Sequence, residues 1–217
     1  MPCVVVTLTG TAGGPQQPFN GLASAGTLVR YGEDADECGA VKLQGTSKIS
    51  LVSVWTSGDV KVSSIRSTHM PGNVSYRVDT PAGSIVVGGD AANDVLAPPR
   101  KWSTSDQVEK LAKGADVIVH SAIHPIMAPG TGSTMFAYAY YRQSTVPDLA
   151  AMAQRVGAKY LILTHLIPPI GAKQQYPFKV PGKPLTEADY RKAAQDSGFA
   201  GVVIVGTDLA SLRLPAK

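Results

Sequence analysis

Only two cysteines occur in the 217 residues, and no hydrophobic run is long enough to span a membrane. Lysine and arginine form no cluster interleaved with aromatics. Two cysteines allow at most one disulfide. The missing apolar run argues against a membrane-spanning chain or a membrane partner. The scattered cations discount a basic nucleic-acid stripe, and a net charge of +4 is too small to restore one. No basic segment precedes the first strand-like run in MPCVVVTLTG, so no signal peptide is visible, although the mature part of an exported protein begins the same way. No internal repeat or low-complexity segment stands out.

What is present describes a globular chain. Hydrophobic residues make up 44% and charged residues 17%, which is ordinary for a packed core and points to a single domain over 1–217. Gly 22 and Pro 16 imply many turns and argue against a helical bundle. Cys3 opens the first strand, and Cys38 sits between GTLVRYG and AVKLQ, which read as a hairpin. The pair fits one disulfide in an oxidising compartment, hence a periplasmic or secreted protein. Two unpaired small hydrophobes in a cytoplasmic chain are the alternative.

The first half reads as strands: VVVTLTG (4–10), TLVRYG (27–32), AVKLQ (40–44), KISLVSVW (48–55), DVKVSSIRSTH (59–69), VSYRVDT (74–80) and SIVVGGD (84–90). Asp79-Thr80-Pro81-Ala82-Gly83 is a hairpin turn. From about residue 103 the pattern becomes helix then strand, three times over. Thr104 with Gln107 starts the first helix, before ADVIVH (115–120). Thr145 and Gly157 bound the second, before KYLILTH (159–165). Thr186 and Gly198 bound the third, before GVVIVG (201–206), and SLRLP forms a last short strand. The loop MAPGTGSTMFAYAYYRQ (127–143) carries aromatics that either cover a site or pack an interface. Sheets covered by helices are the expected architecture.

All four histidines end, or closely follow, strand-like runs: His69, His120, His124 and His165. Asp90 ends SIVVGGD, and Asp208 follows GVVIVGT. Strand ends on one edge of such a sheet converge, and loops there carry ligand sites. Imidazoles and carboxylates are ordinary zinc ligands, so His69, Asp90 and His165 read as a metal half-site, with Thr164 and Asp208 as supporting groups. Polar caps at strand ends are the competing reading.

The order of the segments carries more than their composition. VTLTGTAGGP (6–15), DVKVSSIRSTHMPGNVSYRVDTPAGSIVVGGDAAND (59–94), GADVIVHSAIH (114–124), YLILTHLIPP (160–169) and VVIVGTDLASLRL (202–214) resemble, in that order, segments of the metallo-β-lactamase-fold superfamily in its ribonuclease Z/arylsulfatase-like branch. The resemblance implies an α/β fold, an αβ/βα sandwich of two mixed sheets flanked by helices. It implies one or two divalent ions, zinc in the first instance, and metal-assisted hydrolysis of a phosphodiester, sulfate ester or carboxylic ester. It makes His69 and His165 ligands of two ions bridged by Asp90. His120 matches the histidine of a His-Glu-Ala-Thr motif that assists proton transfer, but Ser121 stands in place of the glutamate.

One departure is large. The family's His-x-His-x-Asp-His signature is absent, and AVKLQ is followed by GTSKISLVSVWTSGDV, which holds no histidine. A strand–helix block is therefore expected to be missing near 45–54. That leaves His69, Asp90 and His165 for the metal, with partial or no occupancy, and Asp90 with His120 for catalysis. Impaired hydrolysis of a small-molecule or ester substrate is the first expectation. A catalytically inactive scaffold with a binding or assembly role is the second. Apolar surface bared by the missing block would favour homo-oligomers or domain swapping.

Overall fold

The computed structural model describes residues 3–10, 26–32, 52–172 and 177–214. Ten strands run in chain order: β1 (Cys3–Gly10), β2 (Gly26–Gly32), β3 (Val52–Ser57), β4 (Val60–Arg66), β5 (Val74–Thr80), β6 (Gly83–Gly89), β7 (Val117–Ile123), β8 (Tyr160–Ile167), β9 (Val202–Val205) and β10 (Ser211–Leu214). Four helices join them: α1 (Asp106–Leu111), α2 (Ala137–Tyr141), α3 (Val146–Val156) and α4 (Glu187–Gln195). The expected strand at 40–44, and the shortening expected near 45–54 up to residue 51, lie outside the described residues.

The strands form two sheets. The larger has seven strands in sequential order β3 to β9, antiparallel from β3 to β6 and parallel from β6 to β9. The smaller has the order β10-β1-β2 and is antiparallel in both described pairings. Among the described residues the larger sheet is the mixed one. The meander exists because Pro81-Ala82 makes a two-residue turn between Thr80 and Gly83. The parallel half exists because each later strand is reached through a helix, as parallel pairing requires.

Alternation along the central strands sorts the core onto two faces. Ile118, Leu161 and Leu163 pack with Val108 of α1, Leu149 and Met152 of α3 and Tyr190 of α4. Val117, Val119 and Ile162 pack against Val4, Val6 and Leu8 of β1. β7 is buried along its whole length, which accounts for its unbroken apolar run Val117-Ile118-Val119. Each fully buried aliphatic side chain contributes about 1.5–3 kcal/mol.

The helix boundaries follow the sequence signals with one correction. Ser105, not Thr104, caps α1, its hydroxyl accepting from the Val108 amide. Thr104 is buried one residue earlier, and its carbonyl accepts from Asn93. Thr145 caps α3, which ends on left-handed Gly157. Thr186 and Asp189 form a reciprocal capping box on α4.

Asp116 joins three elements at the start of β7. One carboxylate oxygen accepts from the Ser84 amide at 3.0 Å and the other from Lys159 Nζ at 2.9 Å. Asp116→Ala leaves the buried Ser84 amide without this acceptor and is expected to cost about 2 kcal/mol. A urea midpoint unchanged from the parent chain would contradict this.

Candidate metal centre

The site forms where β6, β7 and β8 end on one edge. Parallel pairing of β6 with β7 slips between Val87 and Gly89, which sits opposite His120. A Cβ on Gly88 would lie 2.1 Å from His120 Cδ2, so only glycine lets the strand pass over that ring. Gly89 follows with φ of +64°, a conformation glycine takes without penalty. This turn takes the chain out of the strand and places Asp90 at the sheet edge.

His165 reaches the same place from β8. Register shifts between Ser121 and Ala122 of β7, where Thr164 and Leu166 are the partners, so His165 is the extra residue of a bulge. Its φ is +46°, uncommon for a residue with a side chain. Bulges re-aim side chains, and here the imidazole Nδ1 lies 2.8 Å from Asp90 Oδ1.

His69 comes from the turn after β4. Its segment is pinned to the residues after Asp90 by a bridge in which the Ala92 amide donates to the Thr68 carbonyl at 2.7 Å. Nδ1–H of His69 donates to the Arg142 carbonyl at 3.0 Å, and Arg142 Nη1 donates back to the His69 carbonyl at 3.0 Å. A carbonyl can only accept, so Nδ1 carries a proton and Nε2 is the nitrogen left to face Asp90. That Nε2 lies 3.8 Å from Asp90 Oδ2. The two oxygens of Asp90 therefore face two histidines from different segments. Side-chain exposures of 32% for Asp90, 19% for His69 and 14% for His165 leave the group reachable from solvent. Burial raises the Asp90 carboxyl, but the hydrogen bond and charge of His165, the charge of His69 and a hydrogen bond from Ser121 outweigh it and hold it below the usual range.

The other expected residues are placed differently. His120 lies inside β7, not at its end, because the strand continues through Ser121, Ala122 and Ile123. It is fully buried, donates from Nδ1 to the Ser121 carbonyl at 2.8 Å, and has an Nε2 with no hydrogen-bond partner among the described residues. Burial, the largest influence, holds it below the usual imidazole range. His124 caps the turn after β7, accepting from the Ile126 amide at 3.2 Å and meeting Tyr190 edge to face. Thr164 is buried in β8 beside His165, and Asp208 lies half-buried beyond β9. Cys3 is buried on β1, and Cys38 lies outside the described residues. Arg142 is the residue that sequence reasoning missed; its contact with His69 spans 73 positions and leaves no local signal.

Comparison with known proteins bears on the whole frame. No family profile matches the chain. A ribonuclease Z of Mycobacterium tuberculosis is 27% identical over 157 residues, covering 71% of this chain and 49% of its own length. A ribonuclease Z of Mycobacterium bovis is 27% identical over the same length, covering 71% of this chain and 48% of its own. The metallo-β-lactamase fold protein YhfI of Bacillus subtilis superposes with a TM-score of 0.63 at 13% identity, covering 98% of this chain and 100% of its own. The chain has the metallo-β-lactamase fold. It is similar in sequence to these ribonuclease Z proteins and spans about half their length.

For a metallo-β-lactamase-fold chain the question is whether these donors suit an ion. Among the described residues, no three such side chains are gathered closely enough to form a ready ligand set. Their chemistry does fit. The 3.8 Å between His69 Nε2 and Asp90 Oδ2 is too long for a hydrogen bond. It is near the roughly 3.3 Å that separates two donors on one tetrahedral zinc bound at about 2.0–2.1 Å. His69 also has the supporting bond expected of a ligand histidine, its second nitrogen donating to a carbonyl. After zinc reconstitution, His165→Ala is expected to lower bound zinc severalfold, while His124→Ala leaves it near the parent value. Elemental analysis showing equal loss in both, or none in either, would sink the assignment.

Proposed function

We propose that the chain is a zinc-dependent phosphodiesterase of the ribonuclease Z type, acting on RNA with turnover impaired relative to intact relatives. The observation that carries this reading is Asp90, whose two oxygens face His165 at 2.8 Å and His69 at 3.8 Å across a partly open edge. The relatives' name supplies the substrate class and revises the sequence expectation, which found no nucleic-acid signal. His69, Asp90 and His165 would hold the ion, which when bound supplies a Lewis acid and an activated water. The chain's own residues prepare that position. Arg142 holds the His69 proton on Nδ1 through its carbonyl, turning Nε2 inward. His120 supports the Gly88–Gly89 turn from beneath and so positions Asp90. This replaces the acid–base part expected of His120, because a fully buried ring held neutral reaches no substrate.

Impairment follows from the sequence, which contains no His-x-His-x-Asp-His run to complete the coordination. The same fact favours a second reading, an inactive scaffold that binds without turnover. Zinc reconstitution followed by assays on an RNA oligonucleotide and on small phosphodiesters and esters separates the two. The phosphodiesterase reading expects one zinc or less per chain and RNA cleavage that stops on chelation. Zinc uptake without cleavage supports the scaffold; no zinc uptake removes both metal readings.

The compartment rests on Cys3 and Cys38. In an exported chain they are bonded, and a non-reducing peptide map is expected to recover them as one cross-linked pair. Two free thiols in that map would favour the cytoplasm.

A further inference from the structure

The segment between β7 and α3 leaves two large aromatic side chains in solvent. Phe136 is 59% exposed and Tyr138 is 67% exposed, yet their rings stack at 5.7 Å with an interplanar angle of 13°. Phe178, from the distant segment before α4, meets Phe136 edge to face at 6.1 Å. These exposed rings do not anchor the segment. Met135 and Tyr140 do that, buried with Ile123, Met127, Ile167 and Val180. Solvent-exposed rings held in a fixed stack, with no buried role, mark a contact surface.

The local charge says what kind of contact. Residues 125–147 and 166–186, which carry these rings, contain no aspartate or glutamate. Arg142, Lys173, Lys179 and Lys183 are their charged residues. Lys179 is exposed beside Phe178, and its amide donates to Thr134 Oγ1 at 2.7 Å, fastening the two segments together. Arg100 adds a third cationic approach, donating to the Tyr141 carbonyl at 2.8 Å. Position links the rings to the centre. Arg142 is the C-cap of α2, six residues beyond Phe136 and so about 9 Å along a helical path, and it exchanges two hydrogen bonds with His69. Exposed stacked rings with Lys179 beside Phe178 and Arg142 at the end of the same helix match single-stranded nucleic acid, whose bases stack on exposed rings while cations take the phosphates.

We infer that Phe136 and Tyr138 form a stacking platform for an unpaired nucleobase of a single-stranded RNA that approaches the sheet edge at Asp90. This rests on the RNA reading proposed above and adds to it how the substrate is held. The sequence contains no basic–aromatic stripe because the surface is assembled from two segments some forty positions apart.

The test is fluorescence anisotropy of the full chain, with a chelator present so that no cleavage intervenes. The probes are a short single-stranded RNA and a same-length oligomer of abasic sugar-phosphate. The wild-type chain is expected to bind the RNA about tenfold more tightly than the abasic oligomer. The double variant Phe136→Ala/Tyr138→Ala is expected to lose that preference, and Phe136→Tyr/Tyr138→Phe to keep it, separating stacking from general loss of fold. Equal binding of both probes by the wild type overturns the platform and leaves the RNA reading standing. Binding of neither overturns the RNA reading and the platform with it. If the alanine pair converts a dimer to a monomer in sedimentation while keeping the preference, the rings are a self-interface and the platform is overturned.

Discussion

The passage of the Gly88 backbone over the His120 ring is the constraint on which the site depends. Any side chain at position 88 would meet that ring, and the ring is itself fixed by its bond to the Ser121 carbonyl. With the strand seated there, Gly89 can turn and Asp90 emerges at the edge of the sheet. Asp90 then engages His165, whose own backbone is held in a left-handed conformation by the bulge in β8. His69 closes the group from the opposite side, tied to Arg142 and through it to α2. A small shift at the β6–β7 register would therefore move Asp90 away from both histidines. Close-packed interiors transmit such shifts because they hold little free volume to absorb them.

Much of this frame was legible beforehand. The strand runs, the Pro81-Ala82 turn, and Thr145 and Thr186 as caps all fell where alternation and capping chemistry put them. The order of the segments was enough to indicate the fold. Other features were hidden for identifiable reasons. β7 continues through Ser121 and Ala122, which carry no strand signal, and this moved His120 from a strand end to the interior. Ser103-Thr104-Ser105 offers three successive capping residues, and the Ser105 hydroxyl is the one that meets the Val108 amide. The Arg142–His69 contact joins residues 73 positions apart, which periodicity cannot see.

The donor set and the superfamily pull in different directions. The fold supplies a sheet edge suited to ligand binding, and three residues with the right chemistry occupy it. Three protein donors are enough for a zinc site elsewhere, but here one of them is hydrogen-bonded to another and would have to exchange that partner for an ion. An ion at these residues would compete with the contact between Asp90 and His165 and gain a ligand only as that contact is given up. The carboxylate is already held in its charged form, the form a cation binds, so the exchange turns on the partner it gives up.

His69, Asp90 and His165 lie on a turn, a strand edge and a bulge that come together only when the larger sheet is assembled from β4 to β8. No fragment of the chain that lacks either half of that sheet contains the site. Occupancy is consequently coupled to the global folding equilibrium and not to a local one. A ligand gripping these three residues works as a clasp across the sheet, slowing the rarest, whole-molecule opening and leaving the fraying of the ends untouched.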